Sequence, residues 1–123
     1  MASAVIHLCV AKEVNKYINM DEKHILLGSI APDIAKQVGQ TKEISHFLDH
    51  TNEDDIPNIE RFLDKYRSEL TKPFEMGYFI HLLTDQYLSL YNHYRLFLLL
   101  LYMSYLFLLG RLYIFRYIYI HNL

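Results

Sequence analysis

Acidic residues are missing from the last third of this chain: all 14 lie at or before Asp85. Residues 1–86 set nine basic residues against those 14, a formal charge of −5, whereas residues 87–123 carry only Arg95, Arg111 and Arg116, a charge of +3. Cysteine is almost absent. The single Cys9 excludes an intrachain disulfide and a thiolate zinc cluster, and its apolar setting in IHLCVA predicts a small core residue. No basic segment precedes a long apolar run in MASAVIHLCVAKE, so no secretory signal is read and a cytoplasmic location is expected. The first part lacks the basic excess of a phosphate-backbone binder, which argues against nucleic acid as a partner. A convincing strand alternation is missing throughout, and the expected fold class is all-α.

What is present reads as a series of helices. Ser3 is placed to cap one running to about Ile18, with Ile6, Val10, Val14, Tyr17 and Ile18 as its apolar stripe. Asn19 or Asp21 starts a second, which Gly28 and Pro32 of GSIAPD are expected to end. The stretch from Gly39 to Asp55 reads as polar loop, with a short helical piece around EISHFLDH. Pro57 suits the first turn of a helix bearing Ile59, Phe62, Leu63 and Tyr66. Thr71 is expected to cap a further helix with Pro73 and Glu75 in its first turn. His24 and His50 are expected on the surface, and the acidic run 53–55 as a solvated helix start.

The last of these helices contains GYFIHLLTD, residues 77–85. At 3.6 residues per turn, positions 74, 78, 81, 82, 85 and 88 share one face, so His81 and Asp85 point inward beside Phe74, Tyr78 and Leu82. An inward carboxylate is costly unless paired or bound to a cation, and that face carries no Lys or Arg. Two readings compete: a structural His–Asp pair, or a metal site completed by residues elsewhere. His7, Asp33 and His46 are the candidates, from the first helix, the end of GSIAPD and the SHF tripeptide. Three imidazoles and two carboxylates form a nitrogen and oxygen set suited to zinc.

The order His7, GSIAPD with Asp33, SHF with His46, and GYFIHLLTD with His81 and Asp85 resembles the bacterial zinc-dependent phospholipase C family, over roughly residues 5–86. That family is structurally related to the P1-type nucleases. The resemblance implies an all-α bundle of the phospholipase C/P1 nuclease type. It implies that Asp33, His46, His81 and Asp85 make up one zinc site, that Asp85 also bridges to a second, and that His7 belongs to that second. Asp33 stands where the family's proposed general base lies. Secreted members use a mature N-terminal Trp as a ligand, but this chain has no Trp, so the second site is expected to be partial. Family members continue with another His and then a His and Glu for a third zinc. Here Tyr91 stands six beyond Asp85, His93 falls two places later, and no Glu follows.

Residues 1–86 are therefore read as the N-terminal part of such a domain, and residues 87–123 as a hydrophobic low-complexity tail. LFLLLLYMSYLFLLG, residues 96–110, is an apolar run of 15, short of the ~20 residues that span a bilayer directly. A membrane span extended by flanking tyrosines and arginines, a surface or partner-packing helix, and non-native sequence from a frame shift in an AT-rich gene remain as readings. The compositional break favours the last. The expected activity is hydrolysis of a phospholipid or other phosphodiester by a zinc-activated water, weak or lost for want of the third site. The alternatives are a nuclease-like metallohydrolase and a non-enzymatic membrane-anchored helical protein.

Overall fold

The computed structural model describes residues 2–49, 56–91 and 108. The readings for His50, the acidic run 53–55 and the 96–110 segment apart from Leu108 lie outside the described residues. The chain divides into two compact units, Met1–Leu90 and Tyr91–Leu123. Among the described residues the structure is helical, with no strand and one isolated bridge, Leu48 to Pro57. No described helix is long and apolar enough to cross a membrane.

Helix α1 (Ala4–Ile18) follows Ser3 as anticipated, although the serine side chain makes no capping bond. Its buried residues are His7 and Ala11, while Ile6 and Tyr17 are exposed. The inward face is thus rotated from the expected stripe. Apolar residues occupy nearly every azimuth of AVIHLCVA, so periodicity alone does not fix the phase. Cys9 lies on the exposed side, which corrects its assignment to the core. The turn to α2 (Glu22–Ile34) is clamped by Asn15. Its side chain accepts from the Met20 amide at 2.9 Å and donates to the Met20 carbonyl at 3.0 Å. Asn19 takes the left-handed conformation, φ 52°, which asparagine tolerates well. Asp21 caps α2 through the His24 amide, and exposed His24 pairs with the same carboxylate.

Helix α2 does not end at GSIAPD. It runs through Pro32 to Ile34 and passes into a 3₁₀ turn, Ala35–Val38. Gly28 serves a helix crossing rather than a turn. A Cβ there would sit 2.0 Å from the Phe74 carbonyl oxygen, and one on Gly77 would sit 2.1 Å from that of Ile25. The backbones of α2 and α5 (Pro73–Tyr91) meet with no side chain between them. The short helix α3 (Lys42–Ser45) supplies the expected helical piece. Pro57 sits in the isolated bridge, two residues ahead of α4 (Ile59–Tyr66), whose cap is Asn58. Because α5 begins at Pro73, Lys72 and not Thr71 takes the cap position.

Helix α5 is the most buried of the described helices. Met76, Phe79, Ile80, His81, Leu82, Leu83, Thr84 and Asp85 are all buried, so it is enclosed all round, more fully than a single inward face implies. Phe62 of α4 stacks on Tyr78 and Phe79 and meets Phe47 edge-on at 5.2 Å.

Candidate metal centre

Four segments deliver their polar groups to one buried point. The crossing at Gly28 and Gly77 brings the Ser29 carbonyl within 2.7 Å of His81 Nδ1. A carbonyl only accepts, so Nδ1 carries the hydrogen, and in the neutral ring Nε2 is a bare lone pair. His46 arrives from the end of α3. The next residue, Phe47, has φ 54°, an unfavourable backbone for a bulky side chain that costs about 1–3 kcal/mol. Its ring contacts with Phe62, Tyr66 and Tyr78 hold the turn, as do bonds from Asn58 to the Phe47 carbonyl and from Arg61 to the Leu48 carbonyl.

His46 Nε2 lies 3.2 Å from His81 Nε2, 3.3 Å from Asp33 Oδ1 and 3.5 Å from Asp85 Oδ2. His81 Nε2 lies 3.3 Å from the same Asp85 oxygen and 3.9 Å from the same Asp33 oxygen. Zinc ligands 2.0–2.1 Å from a central ion stand at tetrahedral corners about 3.3 Å apart. Four of the five distances lie within about 0.2 Å of that edge and the fifth, 3.9 Å, is longer. His46, His81 and Asp85, and likewise His7, Asp33 and His81, bring nitrogen and oxygen donors within 4.8 Å of one another, the donor types zinc prefers. The residues fit the group.

The electrostatics lead the same way. Among the described residues, the ion pairs of Asp33 and Asp85 are all with imidazoles. Burial, reinforced by the neighbouring His81, pushes the His46 pKa down against the pull of Asp85 and Asp33. The ring therefore stays neutral. Burial lifts the Asp85 carboxyl, but the imidazoles of His7 and His81 outweigh it and hold Asp85 ionised, well below the usual carboxylate range. A proton shared between the facing Nε2 atoms would give the imidazole pair one positive charge against two carboxylates.

Asp85 has a second side. Its Oδ1 accepts from the Ala2 amide at 3.2 Å and lies 3.2 Å from His7 Nε2. That second pair is close but not aligned as a hydrogen bond, and neither His7 nitrogen has a hydrogen-bond partner although the residue is fully buried. His7 stacks on His81 with ring centroids 3.6 Å apart. A buried polar group without a partner costs about 1–3 kcal/mol. His7 and Asp85 Oδ1 thus form a smaller, incomplete donor pair beside the four-atom cluster.

All five residues singled out from the sequence, His7, Asp33, His46, His81 and Asp85, converge here. Ser29, Ser45 and the Ala2 amide, none of them singled out from the sequence, contact His81 Nδ1, His46 Nδ1 and Asp85 Oδ1 respectively. For the two serines the only signal is their place inside the GSIAPD and SHF motifs. Comparison with protein-family models, with curated proteins and with solved structures gave no match to this chain.

Proposed function

We propose that this chain is a zinc-binding phosphodiester hydrolase of the phospholipase C type, built on the phospholipase C/P1 nuclease bundle, with a phospholipid as substrate. The observation that carries the reading is the cluster of two Nε2 atoms and two carboxylate oxygens at 3.2–3.9 Å, to which no Lys or Arg pairs among the described residues. His81 and His46 present imidazole nitrogens, and Asp33 and Asp85 present two carboxylates whose charge a divalent ion neutralises. Zinc bound there would lower the pKa of a water and offset a phosphodiester's charge. Asp33 has the most exposed side chain of the four, 22% against 4% or less. It is the carboxylate a water can reach, and so the group that would accept the proton as that water attacks phosphorus, the ester P–O bond breaks and the alcohol leaves with a proton. His7 and Asp85 Oδ1 offer a partial second site. Tyr91 stands where the resembled family has a histidine of its third zinc site, so turnover is expected to be weak.

Elemental analysis after zinc loading and gel filtration tests the metal, with one zinc per chain expected and its loss in Asp85→Ala. Release of water-soluble phosphate ester from phosphatidylcholine vesicles, measured beside cleavage of single-stranded nucleic acid, tests the substrate. No bound zinc in the unmodified chain would sink the proposal. Nucleic-acid cleavage alone would transfer it to the nuclease class.

A further inference from the structure

Resting on that reading, we infer that Ser45 is a positioning residue, one that fixes the tautomer of His46 so that Nε2 turns a lone pair toward the cluster. A neutral imidazole has one N–H, and the nitrogen that carries it cannot ligate. His46 Nδ1 lies 2.9 Å from the Ser45 hydroxyl. That hydroxyl also lies 3.4 Å from the Lys42 carbonyl, a pure acceptor. With the hydroxyl proton directed to the carbonyl, Oγ accepts from Nδ1 and the ring's hydrogen stays on Nδ1. Nε2 is left bare, facing His81, Asp33 and Asp85. The opposite tautomer would aim an N–H at Asp33 and close the cluster to a cation.

The arrangement is held from both sides. Ser45 and His46 are 2% and 3% exposed, so water does not compete for the hydroxyl. The Tyr78 hydroxyl of α5 donates to the Ser45 carbonyl, tying the end of α3 to the helix that bears His81 and Asp85. A serine adjoining a ligand histidine acts here as the outer partner that metal-bound imidazoles ordinarily find in a carboxylate or carbonyl.

Ring-nitrogen NMR of the ¹⁵N-labelled, zinc-free chain, with His46 assigned by its loss in His46→Ala, reads the tautomer directly. Protonated Nδ1 and bare Nε2 are expected. In Ser45→Ala the population should move toward protonated Nε2, and zinc affinity by indicator competition should fall by roughly 10–100-fold. Ser45→Thr, which keeps the hydroxyl, should restore both. Protonated Nε2 in the unmodified chain overturns the inference, as does Ser45→Ala with the parent's tautomer and affinity. If Ser45→Ala does not fold, the spectrum of the unmodified chain still decides. Failure of that chain to bind zinc would defeat the hydrolase reading separately, since the tautomer is read without metal.

Discussion

His7 poses the energetic problem of the site in one side chain. A core imidazole ordinarily finds a partner for each ring nitrogen, yet this one has none and still stacks on another imidazole. His46 poses it in terms of protons. Its pKa is depressed below the ordinary 6.5, chiefly by burial, so the unfolded chain takes up a proton that the folded chain refuses. Zinc-free protein must therefore lose stability as pH falls below about 6.5. Asp85, ionised when folded, adds a further loss as pH falls through the ordinary carboxylate value of 3.8. A urea midpoint lower at about pH 5.5 than at about pH 7.5 is expected, and equal midpoints would show that His46 charges freely in the fold. The five ligand-type residues were legible because inward imidazoles and carboxylates without a Lys or Arg need an explanation. Ser29 and Ser45 were not, because a serine carries no signature until its neighbours in space are known.

Helix boundaries show where local rules gave way to packing. GSIAPD contains the residues of a helix stop, and in isolation Gly and Pro would supply one. Here α2 continues through Pro32 because its backbone is braced against α5 at Gly28 and Gly77. The phase of α1 was illegible for a related reason: its sequence is apolar nearly all round, and the choice of inward face fell to His7 and Ala11. The crossing gives a test in which two effects oppose. Gly77→Ala gains about 1 kcal/mol of helix propensity, but its Cβ would lie 2.1 Å from the Ile25 carbonyl oxygen and 2.9 Å from the Ser29 nitrogen. Both are backbone atoms that cannot rotate aside. Overpacking costs about 1–3 kcal/mol, sometimes more, so the clash prevails. Gly77→Ala is expected to lower the unfolding free energy and also to weaken zinc binding, since spreading the helices withdraws Ser29 from His81. A variant as stable as the parent would mean that α2 and α5 do not meet backbone to backbone.

At the scale of the molecule, the helical class and the order of helices could be read from periodicity and caps. The enclosure of α5 on every side could not, because it depends on how many helices surround it. On the proposed metal reading, a cation held between the two carboxylates at the centre of such a unit stabilises the folded chain. Ligand linkage then predicts the response. Zinc at a hundred times its dissociation constant stabilises by about 2.7 kcal/mol, which for a unit of this size raises the melting temperature by about 10 °C or more. Calorimetry with and without zinc measures this. Reversal by chelator is expected, along with no response in Asp85→Ala; a melting temperature indifferent to zinc would contradict the linkage.

The uneven exposure of the donors has a kinetic corollary. With His46, His81 and Asp85 sealed and Asp33 the most exposed of the four, a zinc ion held as proposed would come and go past a single gatepost. Exchange against an isotopically labelled ion should then be slow, governed by how often that doorway opens and hardly at all by how strongly the competitor binds.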